Sequence, residues 1–497
     1  MEIKMRHNKN IAVTPTSFLL LAAITAASIM SCSGGDDATQ TQNQTTPAVS
    51  ESQSEMLDFS QMSLLEQLQY ANAQVPDDLP ERDLGGAVIK LCDITVPTEE
   101  TGSVLNDAAY RQYLAVMERY NCTFETVPVN DNGWSDMLSK ISTLLLSGED
   151  FASILRIRNT AAATFASQNM LHDLSTFDVI DIEKPWYFKE QIDLYSYHDQ
   201  RYIVSGYMSA PLGGIVVVLY NKTIGENYDV ENLYDVVRED RWTFDYVHGL
   251  CRDLYHDLNG NGTSDEDDLY AFNYAAAASF LSLLAIHEEP FVKMNANGDP
   301  YHPVFENPER MQSLMDSMKE LLLEPGSCSL SDWDIEVFQK GNALLAMQQI
   351  SVVKKIADTQ NSYGILPVWK FDEQQSTYNT ALLPDTWSIP INSSDPEQSA
   401  ILMTALAAEA YREVVPASYE TYLKGQIAMD EDSVEMLDLI LNNGIRGDGG
   451  LMYDESFLYL TMMYLKDSRG FTSYMDSIEN QCRNALQSVV DAYNREG

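Results

Sequence analysis

Basic residues are scarce in this chain: 31 Lys and Arg stand against 74 Asp and Glu in 497 residues, a formal net charge of -43. A surface that acidic repels phosphate backbones, which excludes nucleic acid as a partner and disfavours strongly anionic solutes. Cysteine is also sparse. Beyond Cys32 there are Cys92, Cys122, Cys251, Cys328 and Cys482, an odd set at wide spacing with no CxxC pair. That excludes a disulfide framework and a cysteine-paired zinc site, so these thiols read as buried and free. Cys92 and Cys122 approach each other only if their strands are neighbours. The seven histidines lack metal-ligand spacing, and no GxSxG, HExxH or Cys/His nucleophile arrangement is present. Acidic pairs of the glycosidase kind carry no information among 74 carboxylates. After Ile29 no apolar run reaches the ~20 residues that span a bilayer.

What is present begins with an address. Lys4, Arg6 and Lys9 precede an apolar stretch from Phe18 to Ile29, the pattern of a signal peptide. Ile29-Met30-Ser31-Cys32 resembles the lipobox of bacterial lipoproteins. That resemblance implies removal of residues 1–31, lipidation of Cys32, and attachment to the membrane through lipid alone. Residues 32–83 then read as a flexible tether, because the Thr/Gln/Ser-rich run to Glu55 has too little apolar surface to offset its ordering entropy. The length that follows exceeds what one core supports, so two lobes are expected.

From Gly85 strand and helix alternate. Ala87 to Ile94 is a short apolar strand, and Tyr110, Tyr113, Leu114, Met117 and Tyr120 recur at helical spacing. Thr123 to Val129 reads as a strand, Trp134 to Leu145 as a helix stopped by Gly148, and Phe151 to Ile157 as a third strand. This order predicts an α/β fold with a mainly parallel sheet flanked by helices. Ligands of such sheets sit at the carboxyl ends of the strands, here the loops Asp93 to Gly102, Pro128 to Trp134 and Arg156 to Thr160. Ile215 to Tyr220 is a further strand, followed by a helix-rich region to about Met347, a strand from Tyr363, and a helix start at Ser394-Asp395-Pro396-Glu397. The remainder reads as helical.

Several segments resemble the extracellular solute-binding proteins of sugar-type ABC importers, the maltose-binding-protein-like family in its lipoprotein form. Leu171 to Ser175 resembles the family's LxDLS segment and Val218 to Lys222 its crossover strand. Phe338 to Leu344 is similar to the FxxGxAAM signature, and Tyr363 to Pro367 to the hinge strand after it. Ile182 to Tyr187 and Arg241 to Asp245 resemble gut-bacterial members. The likeness covers about Asp83 to Asn494 and is carried by the order of the motifs. It implies a two-lobed clamp of the type II periplasmic-binding-protein kind. Lobe one would hold 84–208 and a return segment 367–429. Lobe two would hold 209–366 and the C-terminal helices 430–497, and the two would close by hinge motion. It further implies a monomer on the extracellular face of the cytoplasmic membrane, a carbohydrate ligand, and delivery to permease subunits. A secreted glycan-active enzyme and a stand-alone glycan-binding lipoprotein are the alternatives.

Sugars offer apolar faces and a rim of hydroxyls, so their sites combine aromatic rings with planar hydrogen-bonding groups. By position the ligand candidates are Arg156, Arg158 and Asn159 after the third strand, Trp387 in the return segment, Trp186 and Tyr187, Tyr274 after the strand-like Leu269 to Asn273, and Gln348 beyond the FxxGxA segment. Arg156 and Arg158 share a face, so alternation does not choose between them. Pro185-Trp186 is as easily a structural corner, and Trp333 reads as helix packing. One local motif stands apart. Asp257, Asn259, Asn261, Thr263, Asp265 and Asp268 occupy positions 1, 3, 5, 7, 9 and 12 of an EF-hand-like loop with Gly262 at position 6, which predicts a structural calcium ion.

Overall fold

The computed structural model describes residues 62–494, except 71–74, 130–133, 210, 276–285, 287, 289, 329–333, 356–361, 383–384, 444 and 447–452. Cys32, the tether as far as residue 61, the middle of the Pro128 to Trp134 loop, and Trp333 therefore lie outside the described residues. The strands in chain order are β1 (Ala87–Cys92), β2 (Cys122–Val127), β3 (Ile154–Ile157), β4 (Val204–Ser205) and β5 (Val216–Asn221). Next come β6 (Tyr255–His256), β7 (Leu269–Tyr274), β8 (Lys293–Met294), β9 (Pro300–Tyr301) and β10 (Ser327–Cys328). The last are β11 (Ala343–Gln349), β12 (Tyr363–Leu366), β13 (Thr380–Ala381), β14 (Thr386–Ser388) and β15 (Ile445–Arg446).

Two sheets organise the chain. The first runs β2-β1-β3-β14-β4 and the second β10-β7-β11-β5-β12, with β6 beside β7. β1 pairs in parallel with both β2 and β3, the consequence of helical crossovers over Val104–Tyr120 and Trp134–Ser147. The first of these helices buries Ala108, Gln112, Tyr113, Val116 and Tyr120, one stripe at helical period. In the second sheet β7 lies parallel to β10 and β11, whereas β5 runs antiparallel to β11 and β12. β5 is central and buried at every position, and its Val-Val-Val-Leu run has the β-branched character such a strand needs. Helices flank both sheets, so the class is mixed α/β as expected. Among the described residues no helix is long and apolar enough to cross a membrane.

Local signals explain the family-like segments. Asp173 Oδ1 accepts from Ser175 N–H at 3.0 Å, Ser175 Oγ at 2.7 Å and Arg201 N–H at 2.9 Å, which locks the turn after helix Asn159–Ser167. Trp242 is buried with Nε1 donating to the Pro367 carbonyl at 2.9 Å, and Thr243 caps helix Phe244–Asp253. Asp395 caps the helix that opens at Pro396. Gly341 has φ +84, a conformation that a side chain would strain.

Two expectations are corrected and one open pairing is decided. Ala343–Gln349, read as part of a helix-rich region, is strand β11, and only Glu336–Gln339 before it is helical. A fully apolar run of that length carries no period to separate strand from helix, and pairing on both edges decides. The tether does not reach residue 83. Leu64–Tyr70 is a helix, and Leu68 and Leu79 are buried in a hydrophobic core to which strands of both sheets contribute. Asp77 binds Arg119 at 2.7 Å and Arg412 at 3.3 Å. Finally, the register sets Ala87 opposite Cys122 and Cys92 opposite Val127, so the two cysteines lie at opposite ends of paired strands and cannot bond. All five described cysteines are free and buried.

Candidate functional site

The carboxyl end of the first sheet gathers charge. β1 ends at Cys92, and Asp93 turns away with φ 57, in the left-handed region. β3 runs parallel to β1, so Arg156, one residue from its end, rises beside Asp93. β14 enters antiparallel and sets Trp387 opposite Arg156, with Asp385 just before the strand. Arg156 Nη1 donates to Asp93 Oδ2 at 2.8 Å and Nη2 lies 2.9 Å from Asp385 Oδ1. Its Nε–H is buried with no hydrogen-bond partner among the described residues. The Arg156 side chain is 35% exposed, against 11% for Asp93 and 37% for Asp385.

The electrostatics follow. Burial holds the Asp93 carboxyl above the usual carboxylate range, and Asp385 pushes the same way against the pull of Arg156. Burial acts to lower the guanidinium of Arg156, but the hydrogen bonds and charges of Asp385 and Asp93 outweigh it and leave the group above its ordinary value. One cation between two carboxylates gives a local charge of -1 and a rim of donors and acceptors.

The other ligand candidates divide. Tyr274 closes β7 half-buried and pairs with Met347, which places it beside Gln348 at the carboxyl ends of β7 and β11. Gln348 is buried, and its Oε1 accepts the Gln349 N–H at 2.9 Å. Asn159 opens helix Asn159–Ser167 with Nδ2 3.4 Å from Tyr195 Oη, and Arg158 before it is exposed. Trp387 is only 1% exposed and belongs to the core. Its β14 position sets it opposite Arg156 on the neighbouring strand, and at that burial it offers a ligand no free ring face. Trp186 and Tyr187 are corrected more sharply. Trp186 is 0% exposed, its carbonyl accepts the Tyr207 N–H at 3.0 Å, and Tyr187 bridges to Gly206 while its hydroxyl meets Thr404 Oγ1 at 2.9 Å. They form a structural corner, because the Pro185 turn drives both rings into the core.

Asp93 and Asp385 were not singled out from sequence. Asp93 opens a loop flagged at a strand end. Asp385 reaches the site only through the antiparallel β14, a pairing across more than two hundred residues that local pattern does not encode.

The acidic loop is a separate arrangement. Asp257 accepts the N–H groups of Gly260 at 2.7 Å and Gly262 at 2.8 Å, and Gly262 has φ +73. Asn261 and Asn259 donate to Asp265, and Asn261, the Asp267 N–H and Asn259 hold that carboxyl below its ordinary range. Asn261 Oδ1 accepts the Thr263 N–H at 2.7 Å. Asp268 is buried, accepting from Leu258 N–H at 3.2 Å and Tyr255 Oη at 2.9 Å.

No family model matches the chain, and no curated protein matches it. Solved structures do. An ABC substrate-binding protein of Listeria monocytogenes in complex with cycloalternan is 12% identical, covering 83% of this chain and all of its own, with a TM-score of 0.52. The galacto-N-biose/lacto-N-biose I-binding protein of an ABC transporter from Bifidobacterium longum is 13% identical over 82% of this chain and 98% of its own, at 0.56. Maltose-bound MalE3 of T. maritima is 13% identical over 81% and 99%, at 0.51. The chain therefore has the two-lobed α/β fold of these solute-binding proteins.

Proposed function

We propose that this chain is an extracellular substrate-binding lipoprotein that captures a carbohydrate, an oligosaccharide, and delivers it to the permease of an ABC importer. The observation that carries the reading is the Asp93–Arg156–Asp385 group at the carboxyl ends of the first sheet's strands, the position where open α/β sheets bind ligands. A sugar hydroxyl both donates and accepts, so carboxylates and a guanidinium serve it together. The local excess of negative charge disfavours acidic sugars. Tyr274 and Gln348 at the matching end of the second sheet would face the ligand from the other lobe. Residues 84–208 with 367–429 and 209–366 with 430–497 would be the closing halves, tethered to the extracellular face of the cytoplasmic membrane through lipidated Cys32. The fold is shared with proteins that bind cycloalternan, lacto-N-biose and maltose, which supports a saccharide.

We also propose a structural calcium ion in the loop Asp257 to Asp268. The donors there are all oxygens, as a hard cation requires, and Gly262 supplies the sharp turn. Asp257, Asn259, Asn261, Asp265 and Asp268 would bind through side chains, and Thr263 through its carbonyl.

The test is thermal unfolding of the mature chain with calcium against mono- and oligosaccharides, with chromatography of the sugar afterwards. A cargo at a hundredfold its Kd adds about 2.7 kcal/mol to the folded state, so the melting transition rises and the sugar is recovered intact. Cleaved sugar would move the protein to the enzymes. No shift with any saccharide would refute the ligand class.

A further inference from the structure

Away from the strand ends, three side chains from separate parts of the chain converge in the core. His302 follows β9, Asp454 caps helix Glu455–Tyr464, and Cys482 lies inside helix Phe471–Tyr493. The side chains of His302 and Asp454 are 0% and 1% exposed, and Cys482 is equally buried. One ligand atom from each lies within 4.8 Å of the other two.

Hydrogen bonding fixes the imidazole. Nδ1 lies 2.9 Å from the Phe291 carbonyl oxygen, which can only accept, so Nδ1 carries a proton. In the neutral ring Nε2 is then a lone pair, and it lies 3.1 Å from Asp454 Oδ2. The other oxygen, Oδ1, already accepts the Phe457 N–H at 3.2 Å and the Ser456 hydroxyl at 2.5 Å. Two acceptors therefore face each other in a dry interior, an arrangement that demands a cation. A proton would satisfy the pair, yet it gives the thiol of Cys482 no part. A borderline-soft divalent ion uses all three groups, because imidazole nitrogen, carboxylate oxygen and thiolate sulfur are the donors of zinc. The Nδ1–H bond to a backbone carbonyl is the outer contact that orients metal-binding imidazoles. A small pocket lined in part by Phe291, Pro303 and Phe457 lies beside the groups that hold the His302 ring. Phe457 stacks on the His302 ring with centroids 4.1 Å apart, which sets the ring plane.

We propose that His302, Asp454 and Cys482 form a buried structural site for a transition metal of the zinc class, joining the segment around β9 to the last two helices. It is independent of the carbohydrate and calcium sites.

The experiment uses the full mature chain. Metal is stripped with a chelator, cobalt(II) is added back, and the absorption spectrum is followed. Binding at this site gives a thiolate-to-cobalt charge-transfer band in the near ultraviolet, displaced by zinc, and protein purified without chelator retains about one zinc ion per chain. Cys482→Ser abolishes the band, while Asp257→Asn in the acidic loop leaves it intact. A folded wild-type chain that takes up no cobalt and retains no zinc would overturn the proposal in favour of a proton-bridged His–Asp pair. A band that survives Cys482→Ser would overturn the ligand assignment. If His302→Gln does not fold, the wild-type spectrum still decides.

Discussion

Arg156→Met removes the cation between two carboxylates and keeps most of the side-chain volume. The contact with Asp385 is worth little by itself, about 0.2–1 kcal/mol, because that carboxylate is 37% exposed. Asp93 is different, at 11% exposed. Breaking a fully buried ion pair costs about 3–5 kcal/mol. Arg156 is itself a third exposed, which discounts that range, so a total loss of about 2–3 kcal/mol is expected at pH 7. The pH dependence follows from Asp93. Its folded pKa is already raised by burial, so its contribution to folding is most favourable below the unfolded carboxylate value of about 3.9. That contribution is lost as pH rises through the folded value. Removing Arg156 takes away the charge that pulls Asp93 down and widens the window in which the loss accumulates. The deficit of the variant should thus be greatest at neutral pH and shrink toward about pH 4. Urea unfolding at both pH values measures it, and Asp93→Asn in the Arg156→Met background should recover at least half the loss at pH 7. A deficit of equal size at both pH values, or no recovery in the double variant, would refute the placement of Asp93 as a buried carboxylate held by Arg156.

Other perturbations reach the frame around the site. Gly206→Ala would put a Cβ 2.1 Å from the Trp186 carbonyl oxygen, backbone that cannot step aside, and should cost about 1–3 kcal/mol in urea unfolding. Full stability in that variant would contradict the structural-corner assignment of Trp186. Asp77 is held below its ordinary range: burial works the other way, but hydrogen bonds from Arg119 and the Leu79 N–H and the charge of Arg412 prevail. Its contribution is therefore complete above the unfolded pKa of about 3.9 and disappears as pH falls through the folded value. Asp77→Asn should cost about 1–3 kcal/mol at pH 7 and progressively less as pH falls below about 3.9, and a deficit that stays constant on acidification would count against the ion pairs. Calcium should raise the melting temperature of the mature chain and Asp257→Asn should abolish that increment; an equal response in the variant would remove calcium from the loop.

The pieces of the fold that sequence displayed are those whose signals are local. β1, β2, β3, β5 and β12 were legible because short apolar runs lie between helical stripes or turn residues, and their ends fall within a few residues of the expectation. The Asp395 cap was legible for the same reason, since a side chain bonds backbone three residues away. β11 was not, because its buried Ala-Leu-Leu-Ala-Met run suits either state and only neighbours on both sides settle it. The site repeats this division. Arg156 could be placed at a strand end from pattern alone, whereas its partners Asp93 and Asp385 depend on which strands lie side by side. The tryptophans were the weakest guides, because a ring large enough to stack on a sugar is also large enough to fill a core, and Trp186, Trp242, Trp369 and Trp387 all do the latter. The Asp93–Arg156 pair is less easily put down to packing, since a largely buried carboxylate is costly to leave unpaired. On the proposed reading, the charge at the strand ends is therefore a better pointer to the ligand than the aromatic residues, which lie in the core.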